Sequence, residues 1–168
     1  ALPCLYACEK ADPTLKSEPG TPYTLTKVQI EMVKGVNVFA FNLLDAVSDD
    51  ARFKEKDFMV SPLSISFVLG ALNNGAIGET SREILKATGY EGCSPADINE
   101  HCRYILQGSS GIDNLVKVKV ANAVMVREGY ELKEGFSKAL ETYYDAYVRS
   151  MKFDGKALEI LKRYPSIT

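Results

Sequence analysis

The chain has 168 residues, of which 46% are hydrophobic and 25% are charged, and this composition is ordinary for a globular protein with one core. Its 20 lysine and arginine residues against 22 aspartate and glutamate residues give a net charge of -2, so the basic excess typical of nucleic-acid-binding proteins is missing. No apolar stretch approaches the roughly 20 residues that a membrane-spanning helix needs. These totals permit an α+β domain and predict neither a nucleic-acid partner nor a transmembrane span.

The first 24 residues differ from the rest of the chain because residues that break helices and strands interrupt a polar run. These residues are Pro3, Pro13, Pro19, Gly20 and Pro22. We interpret residues 1–24 as a leader or tether. The folded domain is then expected over residues 25–154, followed by a divergent or truncated tail over residues 155–168 with up to two helical turns.

The spacing of apolar residues predicts four helices in the first part of the domain. The clearest begins at Lys27 and ends at Ser48, where a charged turn follows. Ser61 precedes Pro62, and a serine cap before a proline in the first turn is a typical helix start. Gly89 is expected to end the third helix. The predicted helices are residues 27–48, 62–72, 80–87 and 95–106.

The periodicity then changes from helix to strand. Valines at alternating positions from Val116 to Val126 share one face, while Lys117 and Lys119 lie on the other face, so this segment predicts one long β-strand. Apolar residues return to helical spacing from Leu132 to Tyr144. A second, shorter strand is predicted from Tyr147 to Phe153.

His101, the single histidine, is the residue on which an enzyme would depend. Its neighbour Cys102 cannot form a catalytic pair with it, because consecutive side chains on a helix point about 100° apart. We therefore interpret His101 as a surface or capping residue. The set Cys93, His101 and Cys102 matches no zinc-site spacing, so we expect no metal, no cofactor and no enzymatic activity. Whether Cys93 and Cys102 form a disulfide stays open.

Several motifs in this order resemble the serpin family. The first is SPLSIS at residues 61–66, the second is the glycine-rich NGAIGET at residues 74–80, and the third is VANAVMV at residues 120–126. With the helix and strand that follow, the resemblance extends without a break from about Val28 to Asp154. It implies a serpin-like α+β fold with the family's helices A to E and the first strands of its sheet A.

The resemblance implies a function and three site residues. Most serpins inhibit serine proteases: a reactive-centre loop is cleaved as bait, forms an acyl-enzyme and inserts into sheet A. Ser61 and Ser64 would belong to the shutter, the region beneath the centre of sheet A that controls its opening, although Ser61 can equally be a plain helix cap. Asn122 would lie close by, which would explain a polar residue on the valine face of its strand.

The family also predicts what this chain lacks. Its reactive-centre loop lies near the C-terminus of a much longer domain, so we expect this chain to lack that loop and most of sheet A. We therefore expect no inhibition by the chain alone. A long apolar strand with few partners tends to recruit another chain, so either a truncated product with open strand edges or an oligomer is expected.

A second resemblance lies in the leader. The sequence Leu5-Tyr6-Ala7-Cys8 is similar to a bacterial lipobox, which implies lipid attachment at Cys8 in the native precursor. The leading hypothesis is the N-terminal portion of a secreted or envelope-attached serpin whose parent inhibits a serine protease. The alternative is a non-inhibitory interaction or oligomerisation module that pairs through open sheet edges.

Overall fold

The computed structural model describes residues 24–109, 112, 115 and 118–154. Within these residues the chain forms five helices and two strands, in the predicted order. The elements are α1 (Lys27–Ser48), α2 (Pro62–Asn73), α3 (Gly78–Thr88), α4 (Pro95–Ser109), β1 (Asn122–Arg127), α5 (Glu134–Tyr144) and β2 (Ala146–Met151). The five predicted helices are confirmed, with boundaries that differ from the predicted ones by a few residues at most. The predicted leader, with Cys8, and the predicted tail lie outside the described residues.

Side-chain caps fix where three of the helices begin. At α1, Thr26 accepts a hydrogen bond from the backbone of Gln29 at 3.2 Å and donates its own backbone N–H to the Gln29 side chain at 2.9 Å. At α2, Ser61 Oγ accepts from the Ser64 backbone N–H at 3.3 Å. At α4, Ser94 Oγ accepts from the Asp97 backbone N–H at 3.1 Å. These bonds satisfy donors that have no partner within the helix.

Gly89 ends α3 in the left-handed conformation, with φ of 73°, which a residue without Cβ adopts at no steric cost. The same glycine lies against Gly35 in the middle of α1. A Cβ placed on Gly35 would come within 2.3 Å of the Gly89 carbonyl oxygen. Two glycines therefore allow α1 to pack directly on the end of α3.

The two strands form a parallel sheet, with Asn122 opposite Ala146 and Arg127 opposite Met151. Helix α5 makes the crossover connection that parallel neighbours require. The prediction of one long strand from Val116 to Val126 is wrong in extent, because residues 118–121 lie outside β1. Hydrogen bonding with β2 starts only where Ala146 stands opposite Asn122, so alternating valines alone do not define the strand. The predicted second strand is confirmed, although it begins one residue earlier, at Ala146, and ends two residues earlier, at Met151.

Helix α2 lies at the centre of the helical layer and packs against α1, α3, α4 and α5. The buried apolar core joins these helices to the first residue of β2 through Met32, Phe67, Tyr90, Ile98, Cys102, Leu140, Tyr144 and Ala146. Within the part of the chain that the structure describes, no helix is both long and apolar enough to cross a bilayer.

Candidate functional site

Ser61 and Ser64 form a hydroxyl pair at the N-terminus of α2. Their Oγ atoms lie 2.8 Å apart, in addition to the cap bond from the Ser64 backbone to Ser61. Both residues are exposed in this chain. Because Pro62 has no N–H to donate, Ser64 is the residue of the first turn whose N–H Ser61 satisfies. Ser61 therefore does act as a helix cap, and this role leaves its hydroxyl close to that of Ser64.

Asn122 joins the sheet to the helical layer. Its Nδ2 atom donates to the backbone carbonyl of Tyr144 at 2.6 Å. Tyr144 is the last residue of α5, so its carbonyl has no acceptor role within the helix. Since side chains alternate along a strand, Asn122 shares its face of β1 with Val124 and Val126. The amide thus lies on the valine face and fixes the start of β1 to the end of α5.

Ser64 and Asn122 line one cavity of about 320 Å³ between α2, β1 and α5. Most of the remaining lining is apolar and includes Phe67, Val124, Leu140 and Ala146. Ser61 is not among the residues that line this cavity, but its hydroxyl contacts that of Ser64, which does line it. The structure therefore brings together Ser64 and Asn122, with Ser61 immediately beside them.

A second polar group was missed by sequence reasoning. Asn74 and Asn99 exchange two side-chain hydrogen bonds, with Nδ2 to Oδ1 distances of 2.9 and 2.8 Å. The Tyr144 hydroxyl donates to Asn99 Oδ1 at 2.8 Å. Asn74 directly follows the last residue of α2, and its side chain binds across to α4. These hydrogen bonds join the end of α2 to α4 and α5. Asn99 and Tyr144 are buried, and Asn74 is half-buried.

The buried thiol and phenols next to this group are unsuited to nucleophilic chemistry. Burial raises the pKa of Cys102 to about 11, which keeps the thiol protonated at neutral pH. Burial also raises the pKa values of Tyr90 and Tyr144 above their usual range. Cys93 and Cys102 are both free thiols, the first half-buried and the second buried. The open question of their pairing is thereby answered in this structure.

The interpretation of His101 as a surface or capping residue is wrong. Its side chain is buried, with 4% of the residue exposed, and it packs edge-on against Tyr90 with ring centroids 6.4 Å apart. His101 lies three residues after Ile98 and four before Ile105, so helical spacing alone places it on the apolar face of α4. The sequence does not show that Tyr90, in the turn after α3, packs on that side. Among the described residues, no group of three His, Cys, Asp or Glu side chains could hold a metal ion.

Comparison with known proteins shows which family this chain is similar to. A family model described as Serpin (serine protease inhibitor) matches residues 34–162. Over 100 residues the chain is 31% identical to neuroserpin of Mus musculus, a match covering 60% of this chain and 24% of that protein. Over 139 residues it is 29% identical to corticosteroid-binding globulin of Pongo abelii, covering 81% of this chain and 34% of that protein.

A solved structure supports the same fold. Reactive-loop-cleaved human thyroxine-binding globulin superposes with a TM-score of 0.67 at 22% identity, over 80% of this chain and 39% of that one. This likeness concerns the fold alone. The chain spans about a quarter to a third of the length of the curated relatives it matches.

Proposed function

Because this chain belongs to the serpin family, we propose that the protein it comes from inhibits serine-type proteases by suicide-substrate loop insertion. The observation that carries the proposal is the match of residues 34–162 to a family described as serine protease inhibitors. The family consists in general of inhibitors rather than enzymes, so we assign no catalytic residue to this chain. In the serpin family the bait loop lies near the C-terminus, so the whole protein is proposed to supply it.

The proposed reaction uses the catalytic serine of the protease and stops at the covalent ester between protease and inhibitor. The serine Oγ attacks the carbonyl of the bait residue, the peptide C–N bond breaks, and the new amine end leaves with a proton. An ester then joins protease and inhibitor. Insertion of the cleaved loop as a new strand completes the sheet and stabilises the inhibitor, which deforms the protease before water can hydrolyse the ester.

This chain would supply the support for that insertion. Strands β1 and β2 would be two strands of the sheet that opens, and α2 would lie beneath them. We assign the shutter role to Ser61, Ser64 and Asn122. The shared cavity supports this assignment because it places Ser64 and Asn122 between the sheet and the helices. The bond from Asn122 to the Tyr144 carbonyl also supports it, because it joins β1 to the end of α5.

The test uses the whole serpin, expressed from the gene that encodes this chain, with a panel of trypsin-like, chymotrypsin-like and elastase-like proteases. The proposal predicts that at least one protease loses activity and forms a complex that survives boiling in detergent. The matched control is the same protease with its active-site serine sulfonylated beforehand, which should form no complex. Full protease activity and no stable complex across the panel would overturn the proposal.

The second candidate is a non-inhibitory module that self-associates through its sheet edges. The described part of the sheet has two strands, so each strand has one neighbour and one open edge. Two of the similar proteins are also named for the hormones they bind rather than for inhibition. Light scattering over a concentration series tests this candidate. A mass that rises with concentration supports pairing, and a monomer mass throughout argues against it.

We further propose that the protein acts outside the cell or at the cell envelope, with Cys8 as a lipid attachment site. The support is the resemblance of residues 5–8 to a lipobox, followed by a polar, proline-bearing segment suited to a tether. A single acyl chain gives only weak, reversible attachment, so a stable anchor requires more than one chain. Mass spectrometry of membrane-extracted native protein tests this, and an unmodified Cys8 would refute it.

A further inference from the structure

We propose that His101 is a pH-sensitive latch that holds α4 against the turn joining α3 to α4 and releases it when the ring is protonated. This device goes beyond the proposed inhibition and does not depend on it. It rests on how the ring is packed, on the absence of a hydrogen-bond partner for its Nδ1 atom among the described residues, and on the charges around it.

The His101 ring occupies a packed site. Only 4% of the residue is exposed, and its Nδ1 atom has no hydrogen-bond partner among the described residues. The ring meets Tyr90 edge-on, with an interplanar angle of 76°, and Tyr90 is itself 1% exposed. A neutral imidazole can be accommodated here as a flat, largely apolar group. An imidazolium adds an N–H donor and a full charge, and burying both without a partner is costly.

The elements packed against α4 offer no counter-charge to the ring. Tyr90 packs against the ring, and burial raises the pKa of that phenol, so Tyr90 stays neutral. The same turn carries Glu91 at an exposed position and the half-buried thiol of Cys93, whose pKa burial raises. Helix α2 carries no charged residue. On α1, Glu31 pairs with Lys34 at 2.7 Å, and both are exposed. The other charged residues of α1 and α5 also lie at exposed positions: Lys27, Asp45, Glu134, Lys138 and Glu141.

The carboxylates nearest in sequence already have partners. Asp97 accepts a hydrogen bond from the Ser94 hydroxyl at 2.6 Å at the start of α4. Glu100 accepts one from the Arg103 guanidinium at 2.6 Å. A proton on His101 would therefore have to be stabilised by rearrangement of α4 rather than by a carboxylate already pointing at it.

The direction of the pH effect follows from this packing. Burial lowers the pKa of His101 below its ordinary value of 6.5. The unfolded chain therefore takes up the proton at a higher pH than the folded chain does. The stability that depends on neutral His101 is fully present above pH 6.5, and it is lost as the pH falls below 6.5 and through the folded-state pKa.

The neighbours of His101 on α4 contact two other helices, so release of α4 would affect more than the turn after α3. Asn99 and Cys102 lie on either side of it along α4. Asn99 carries the hydrogen bonds to Asn74 and Tyr144, and Cys102 is buried next to Gly70 of α2. Release of α4 would therefore loosen the contacts that join it to α2 and α5.

Because His101 is the only histidine, proton NMR of the whole chain observes its ring without ambiguity. The proposal predicts that the Cε1–H signal titrates with a midpoint below 6.5, and that amide exchange in α4, corrected for intrinsic rates, accelerates over the same pH range. A midpoint at or above 6.5 would overturn the proposal, and so would unchanged α4 exchange through the titration.

The matched variant is His101→Phe, which keeps a flat ring of similar size but cannot take up a proton. We expect the urea midpoint of the wild type to fall between about pH 7.5 and about pH 5 by more than that of the variant. Equal falls in the two proteins would contradict the latch. If the variant does not fold, the wild-type NMR titration still decides between the two outcomes.

Discussion

Asn74 and Asn99 are bound to each other in both directions, each amide donating to the other's carbonyl oxygen across the boundary between α2 and α4. The Tyr144 hydroxyl from α5 donates to the same Asn99 oxygen. These bonds satisfy the Asn99 side chain, which is only 6% exposed, and that of the half-buried Asn74. The pair sets how three helices meet.

Breaking this pair on one side should cost more than removing it from both sides. Asn99→Leu leaves the Asn74 amide and the Tyr144 hydroxyl without their partner, and we expect a loss of about 1–3 kcal/mol in the free energy of unfolding. Adding Asn74→Leu should recover part of that loss. Urea denaturation of the two single variants and the double variant measures the coupling. Asn37→Leu on the exposed side of α1 is the control, and a strictly additive double variant would argue against the pair.

Gly35→Ala should weaken the contact between α1 and the end of α3. The added Cβ would lie 2.3 Å from the Gly89 carbonyl oxygen, so the helices must separate, with a cost of about 1–3 kcal/mol. Gly135→Ala on α5 is the control, because nothing lies within 4 Å of a Cβ there. Thermal unfolding should show a lower midpoint for the first variant and no loss for the second. Equal midpoints would contradict the close packing.

The two described thiols should differ in reactivity. Cys102 is buried and its pKa is raised to about 11, whereas Cys93 is half-buried. Because Cys4 and Cys8 also carry thiols, labelling at mildly alkaline pH is read site by site by peptide mass spectrometry. The peptide that contains Cys93 should be labelled much faster than the peptide that contains Cys102. Cys102 should react only after denaturation. Fast labelling of Cys102 in the folded chain would show that α4 is less well packed than described.

The shutter assignment predicts different effects for its members. Ser61→Ala removes the cap of α2 and should cost about 1 kcal/mol, while Ser64→Ala keeps that cap and should cost less. Asn122→Ala should free the start of β1 from α5. In the whole serpin we expect Ser64→Ala and Asn122→Ala to lose inhibitory activity faster on gentle warming. Ser150→Ala, at an exposed position of β2, is the control, and loss rates equal to its rate would remove Ser64 and Asn122 from the shutter.

Local signals in the sequence were sufficient for the helices. Ser61 and Pro62 marked the start of α2, and the apolar spacing after Lys27 marked α1, because caps and helical periodicity act over a few residues. The extent of β1 could not be predicted, since it depends on where Ala146 provides a partner. The burial of His101 has a local signal, because the residue shares one helical face with Ile98 and Ile105, and it was misread as a surface or capping position. The pairing of Asn74 with Asn99 depends on contact between distant segments, so a single sequence contains no direct signal for it.

The proposed inhibition requires that the whole protein trap a serine protease through a covalent ester. The most direct measurement is the intact mass of the complex formed with an inhibited protease. We predict the mass of the protease plus that of the serpin, minus the C-terminal peptide released by cleavage of the bait loop. The mass is measured after denaturation, so that only covalent bonds hold the species together. Recovery of free protease with intact serpin would indicate non-covalent binding, and recovery of free protease with cleaved serpin would indicate an ordinary substrate; either result would contradict covalent trapping.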